Sequence, residues 1–301
     1  MSRRRKGRPI SGWLNLDKPA GITSTQAVNI VRRLFDAQKS GHGGTLDPLA
    51  TGILPIAFGE ATKTSAYVMD ATKTYRFTVK WGEGRDTDDA EGAVTETSYK
   101  RPTPTEIRAV LPRFIGAIEQ TPPAFSAVKV AGERAYDRAR RGETVELASR
   151  IVEVHGLELL DEGEETPRES SDFRLDCGKG TYVRSLVRDL GHALGTAAHV
   201  TALRRTRVGQ FDEADAFPLE KLKELGDSAP PDGILVPVMT ALADIPALAV
   251  IEPEARRVKC GQVIRVPSSK EGTVRVVSDD RLIAIAEIHE GEVHPMRIFN
   301  L

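Results

Sequence analysis

The sequence predicts an α+β protein, a sheet flanked by helices, followed by a small C-terminal β-barrel. Three stretches carry that expectation. Tyr75, Phe77, Val79 and Trp81 alternate with Arg76, Thr78 and Lys80, the period-2 pattern of a strand with one buried face. Val183, Leu186, Val187, Leu190 and Leu194 recur at helical spacing and stop at Gly195, as an amphipathic helix does. From Ala247 onward the texture changes to short apolar runs separated by turn residues, which reads as a compact all-β unit.

A chain of 301 residues has room for one large domain and a smaller one. The expected division is a disordered basic tail over 1–10, a main domain over 11–245 and the barrel over 246–301. With 28% charged and 40% hydrophobic residues the composition is that of a soluble globular protein. No window approaches 18 consecutive apolar residues, which excludes a membrane-spanning helix. The basic N-terminus is not followed by the apolar core of a signal peptide, so a cytoplasmic location is expected. Cys177 and Cys260 have no metal-ligand spacing and are expected to be buried, inert thiols.

The net charge of −1 does not mark a binder of polyanions, but its distribution is uneven. Residues 1–100 carry 15 Lys/Arg against 11 Asp/Glu, and the rest of the chain has an excess of acid. Basic clusters lie at Arg3–Arg4–Arg5–Lys6–Arg8, Arg32–Arg33, Arg138–Arg140–Arg141 and Arg204–Arg205–Arg207. Each is either solvated surface or part of a positive face, and binding of nucleic acid needs the face rather than the total.

In chain order, residues 13–16 form a short strand. Residues 17–24 form a turn ending in good N-cap residues, and Val28, Val31, Leu34 and Phe35 place an amphipathic helix over 25–36. Residues 41–52 hold four glycines around one acid, Asp47. Pro48 pushes Asp47 toward an extended or turn geometry. Such an acid, with His42 five residues upstream, is either an ordinary turn aspartate or a nucleophile or general base. Residues 59–63 lead through a short helix into a strand over 72–81. There Tyr75 is either a core aromatic at the sheet edge or a ring that stacks on an extruded base. The acidic loop over 84–92 lacks the spacing of a calcium loop, so no metal site is expected.

Thr103 and Glu106 form a capping box with Pro104 at the first helical position. The apolar stripe Ile107, Val110, Leu111, Phe114 and Ile115 follows, with Pro112 kinking or ending the helix. A proline-rich loop from Gln120 leads to a basic helix over 133–141. Strands are expected at 151–155, 157–159 and 173–177, with the acidic run between them a solvated loop. Tyr182 and Arg184 sit off the apolar stripe at a helix N-terminus. A cation there opposes the helix dipole, so Arg184 is either a surface arginine or the partner of a specific anion. Leu203 reads as core. A short helix over 217–225 and a loop over 230–233 lead to the barrel, with strands at 249–251, 263–266, 274–277, 282–286 and 296–299.

The stretch GHGGTLDPLATGILP resembles the catalytic-loop motif of the bacterial tRNA pseudouridine-55 synthases, the TruB type. Six further stretches resemble the same family in order: DKPxGxTS from Asp17, KTYR from Lys73, DTxDxxG from Asp86, QxPPxYSAxKxxGxRxYxxAR from Gln120, GTYxRS from Gly180 and LxRTxxGxF from Leu203. The chain departs from the pattern at Phe125, where a tyrosine is usual, and at Gly178, where a serine is common.

The resemblance implies the pseudouridine synthase fold, a mixed, largely antiparallel central sheet flanked by helices, with a PUA-like C-terminal barrel used on RNA. It implies isomerisation of uridine 55 in the T-loop of tRNA. In that reading Asp47 is the nucleophile, and Arg184 pairs with it and favours the charged carboxylate. Tyr75 stacks on the target base, Tyr182 and Leu203 line its pocket, and His42 keeps it out of the loop stack. Lys63, Asp86 and Asp89 are weaker candidates. The motif around Lys18 is expected to support the loop structurally. The reaction needs no redox change or energy input, so no cofactor is expected. The expected partner of the chain, itself a monomer away from membranes, is the T-arm of tRNA. Two other readings remain: an RNA-folding protein in which catalysis is secondary, and an unrelated Asp-dependent glycosidase, for which no second carboxylate has a partner role.

Overall fold

Alternation of apolar and polar side chains builds the centre of the molecule in the computed structural model, which describes residues 7–126, 128–130, 132–160, 165–224, 232–267 and 271–301. Gly12–Lys18 (β1) is buried along almost its whole length. Thr23 caps Ser24–Leu34 (α1) through a capping box with Gln26. Ser40–His42 (β2) and Thr51–Phe58 (β3) flank the Asp47 loop. Neither is announced by the sequence, because glycines and Pro55 mask the pattern. Pro55 lies opposite Asn15, and its carbonyl accepts a bond from the Gly43 N–H at 2.8 Å.

A 3-10 turn, Gly59–Thr64, runs into Ser65–Asp70 (α2) and then Lys73–Trp81 (β4). The acidic loop joins a hairpin of Glu83–Arg85 (β5) and Val94–Thr97 (β6). Pro104–Val110 (α3) has the expected capping box, and at Pro112 the chain tightens into the 3-10 turn Leu111–Phe114. Ile115, expected on the apolar stripe, is exposed because the helix ends before it. Gly116–Gln120 (β7) is a further strand. The basic helix is shortened to Ala135–Arg140 (α4), preceded by the paired strands Lys129–Val130 (β8) and Glu133–Arg134 (β9). The two strands expected at 151–159 are one, Arg150–Leu159 (β10), with a bulge between Val154 and Gly156. Ser170–Cys177 (β11) absorbs the end of the acidic run, whose residues 161–164 lie outside the described ones. Then come Val183–Ala193 (α5), Ala198–Val208 (β12), Phe211–Asp212 (β13), Phe217–Pro218 (β14) and Leu219–Glu224 (α6).

Among the described residues, ten strands form the main sheet in the order β14-β1-β3-β12-β4-β11-β10-β7, with β13 on β12 and β2 on β3. The β1–β14 and β3–β12 pairs are parallel and the others antiparallel, so the sheet is mixed and largely antiparallel as expected. Phe77 lies between Phe173 and Leu203 in register, and its ring stacks on Phe173 at 5.4 Å. α1 and α5 contribute Val31, Leu186 and Leu190 to the core against this face.

The C-terminal unit holds Ala247–Ala249 (β15), Glu252–Lys259 (α7), Ile264–Arg265 (β16), Gly272–Ser278 (β17), Arg281–His289 (β18) and Glu292–Ile298 (β19). Its strands run in the open order β15-β17-β18-β19-β16, so the expected barrel is a PUA-like half-barrel with α7 packed against it. α7 escapes a reading tuned to short strands. Leu282, Ile285 and Phe299 form one apolar cluster with Trp13, Ile53, Val68 and Phe211 of the main unit.

Three expectations fail locally. Residues 1–6 of the basic tail lie outside the described ones, but just after α1 the Arg8 N–H donates to the Asp36 carbonyl and the Arg8 carbonyl accepts from the Gln38 N–H, so the ordered chain begins before residue 11. Cys177 is buried, whereas Cys260 is exposed at the end of α7. Arg205 is not part of a surface patch; it is 1% exposed.

Candidate active site

The sheet and the Asp47 loop enclose a cleft of about 590 Å³ that brings together Asp47, Tyr75, Tyr182, Arg184 and Leu203. The backbone on both sides of Asp47 is tied to other elements. Ser24 Oγ donates to the Leu46 carbonyl at 3.0 Å and accepts from the Leu46 N–H at 2.8 Å. On the other side of Asp47, the Pro48 carbonyl accepts from the Gly21 N–H at 2.8 Å and from Lys18 Nζ at 3.4 Å. The loop is therefore gripped by the turn after β1, which is the supporting role expected of that motif. Burial lowers the Lys18 pKa to about 8, against the opposing pull of Asp47.

Arg205 holds the start of the loop. It donates from Nη1 to the Thr45 carbonyl and from Nη2 to the Gly44 carbonyl, both at 3.2 Å, and from Nε to Ile53 at 2.7 Å. Gly44 takes φ +129° and Gly52 φ +98°, and a Cβ on Gly52 would sit 2.2 Å from the Arg205 carbonyl oxygen. These glycines let the loop close over β12.

Arg184 Nε lies 2.9 Å from Asp47 Oδ2; the carboxylate side chain is 31% exposed and the guanidinium 4%. Of the two readings open for Arg184, a surface arginine or the partner of an anion, this geometry matches the second. Its Nη1 donates to the Thr87 carbonyl at 2.9 Å, its Nη2 to the Phe125 carbonyl at 3.0 Å, and Asp89 Oδ2 lies 3.4 Å from Nη1. A buried cation with this set of acceptors is fixed in place and presents one edge to an accessible carboxylate.

Leu203, 7% exposed, and Tyr75 line the floor. Burial raises the Tyr75 pKa, with Arg205 pulling the other way. Tyr182 caps α5 from the wall. Buried Gln120 pins its backbone twice, accepting from the Tyr182 N–H at 2.8 Å and donating to its carbonyl at 3.1 Å.

The remaining candidates do not line the cleft. His42 sits at the end of β2 outside the cleft lining, and its Nδ1 accepts from the Gly44 N–H at 3.4 Å. Burial, reinforced by Arg205, lowers its pKa, so the imidazole is neutral at neutral pH. Asp86 accepts from the Ala93 N–H, and Asp89 from the Glu91 N–H and Thr87 Oγ1, so both organise the acidic loop. Lys63 pairs with Glu60 at 2.7 Å and donates to the Ile298 carbonyl at 2.7 Å, joining the C-terminal strand to the main unit away from the cleft. Among the described residues no group of three or more His, Cys, Asp or Glu could hold a metal ion.

Sequence reasoning missed Arg205 and Gln120 as positioning residues. For Arg205 the signal is available: on a strand, positions 203 and 205 share a face, so a core Leu203 carries Arg205 inward with it. Gln120 ends an unrecognised strand, and nothing local announces its bonds to Tyr182.

The cleft carries Lys73, Arg150, Lys179, Arg184 and Arg205 against Asp47 and Asp70. A chain of net charge −1 thus concentrates positive charge around Asp47.

Comparison with known proteins identifies the family. Residues 32–183 match the family described as TruB family pseudouridylate synthase, N-terminal domain. Residues 184–243 match the tRNA pseudouridylate synthase B C-terminal domain, and 246–299 the C-terminal region of pseudouridine synthase II TruB. The tRNA pseudouridine synthase B of Rhodopseudomonas palustris is 55% identical over 99% of this chain and 83% of its own length. That of Rhodospirillum rubrum is 52% identical over the full length of both. Among solved structures, a Cbf5-Nop10-Gar1 complex contains a chain 26% identical with a TM-score of 0.72, covering 96% of this chain and 84% of that one. The chain belongs to the TruB family of pseudouridylate synthases.

Proposed function

We propose that this pseudouridine synthase acts on tRNA, converting uridine 55 of the T-loop to pseudouridine with Asp47 as nucleophile. The observation that carries the reading is the Arg184–Asp47 ion pair on the wall of an electropositive cleft floored by Tyr75 and Leu203. The names of the full-length relatives supply the tRNA substrate class.

The reaction is an isomerisation. The bond from ring nitrogen N1 to sugar C1′ breaks, a bond from ring C5 to C1′ forms, the C5 proton leaves, and N1 ends protonated. Holding the base while it is detached requires a carboxylate against the ring or the sugar. Asp47 is exposed enough to reach either and is aimed by Arg184. A uridine within a folded loop must be turned out of its stack to enter. Tyr75, Tyr182 and Leu203 would then enclose it. The neutral His42 ring at the loop entrance would occupy the displaced stack, a role that needs an aromatic face and no charge.

The test is incubation of pure protein with an unmodified tRNA transcript, without added cofactor or metal, mapping pseudouridine at nucleotide resolution. The expected product is one modified site at position 55. Asp47→Asn, which changes one oxygen and leaves the basic surface intact, abolishes turnover and retains tRNA binding. Binding lost in step with activity would remove the nucleophile assignment, and tight binding by the wild type without modification would favour the RNA-folding reading.

A further inference from the structure

Arg150 opens β10 directly opposite Gln120 of β7, and this cross-strand pair holds Tyr182 from two sides. Gln120 fixes the Tyr182 backbone, whereas the Arg150 guanidinium lies over the Tyr182 ring, 5.0 Å from its centroid. Arg150 Nη2 also donates to the Gly180 carbonyl in the turn before α5. The guanidinium is thus locked between an aromatic face and a carbonyl; its Nε is buried, and among the described residues its Nη1 makes no hydrogen bond. It lines the same cleft as Asp47. A planar cation fixed on an aromatic ring with donors to spare is suited to a phosphate oxygen, which guanidinium matches geometrically.

We propose that Arg150 is a substrate-binding residue that grips a backbone phosphate beside the flipped nucleotide while holding the Tyr182 ring against the target base. This rests on the reading of the substrate as RNA. Lys179, exposed at the cleft mouth and paired with Asp70 at 3.0 Å, is a weaker candidate for such a contact because its charge is already answered. Arg150 has two tasks that separate chemically. The phosphate contact needs the positive charge, and the Tyr182 contact needs the planar group.

The experiment measures tRNA binding against salt and single-turnover modification for wild type, Arg150→Gln and Arg150→Lys. Thermal melts of each protein verify folding. For Arg150→Gln the expected result is a roughly ten-fold weaker affinity, the loss of one charged hydrogen bond. The slope of log affinity against log salt should also become shallower by about 0.7–0.9, one phosphate contact. Arg150→Lys keeps the wild-type slope but slows the bound-state step, because an ammonium does not hold the ring. A wild-type slope in Arg150→Gln overturns the phosphate contact, and an unchanged bound-state rate in Arg150→Lys overturns the hold on Tyr182. If the wild type binds tRNA but modifies nothing, the functional reading fails, while the salt slope still decides the phosphate contact.

Discussion

Arg204 and Arg205 are neighbours in the chain with opposite fates, and the difference follows from which face of β12 each occupies. Arg204 points outward, pairs with both oxygens of Asp17 at 3.0 and 2.9 Å, and stays about a third exposed. Arg205 points inward and supplies the donors for three carbonyls around the Asp47 loop. Arg205→Met should cost about 2–5 kcal/mol in denaturant unfolding, since buried carbonyls left without a donor cost about 1–3 kcal/mol each and partial relaxation offsets some of that. Turnover should fall further than stability explains, because the loop loses its anchor. Arg204→Ala should cost about 1–2 kcal/mol, since its pair with Asp17 is bidentate but open to solvent on one side and leaves no buried carbonyl without a donor. Similar losses in the two variants would show that the buried bonds do not hold the loop. Asp47, Tyr75, Tyr182, Arg184 and Leu203 were expected to meet in one site because each stands in a motif whose wording is specific, and the fold brings them to one cleft. Arg205 stands in such a motif too, but its cluster of arginines read as surface charge.

Elements were legible where a single face is buried. β4 and α5 alternate or recur with clean periods, and both lie where the sequence places them. β3 is buried on both faces and β7 is short, so neither shows a period, and both escaped. Among the glycines around Asp47, Gly52 is a point of backbone contact between β3 and β12, which the sequence does not announce. Gly52→Ala combines an unfavourable φ with a Cβ driven into the Arg205 carbonyl, and should cost about 2–5 kcal/mol. Gly41→Ala is the control, because nothing lies within 4 Å of the position its Cβ would take. That change should stay within about 0.5 kcal/mol. Equal unfolding midpoints for the two variants would mean that the β3–β12 contact relaxes freely and does not fix the loop.

At the scale of the whole molecule, the change of texture at residue 247 marks a change of architecture but not a break in packing. The C-terminal strands carry their own small core around Val276, Ala284 and Val293. They also send Leu282, Ile285 and Phe299 into a shared cluster with Trp13, Ile53 and Phe211. Lys63 adds a polar tie from the 3-10 turn to the Ile298 carbonyl, with its ammonium 5.8 Å from the Phe299 ring. A substrate spanning both units would then meet surfaces held in one geometry. Phe299 is fully buried in that cluster, so Phe299→Ala should remove about 3–5 kcal/mol. Because Trp13 belongs to the same cluster, its fluorescence should report the loss along with the main sheet, in one cooperative transition at lower denaturant. Hydrogen exchange should show β1 and β18 losing protection together. A variant in which β15–β19 exchange rapidly while β1 and β4 keep wild-type protection would show instead that the two units fold independently and that the shared cluster is only a contact between them.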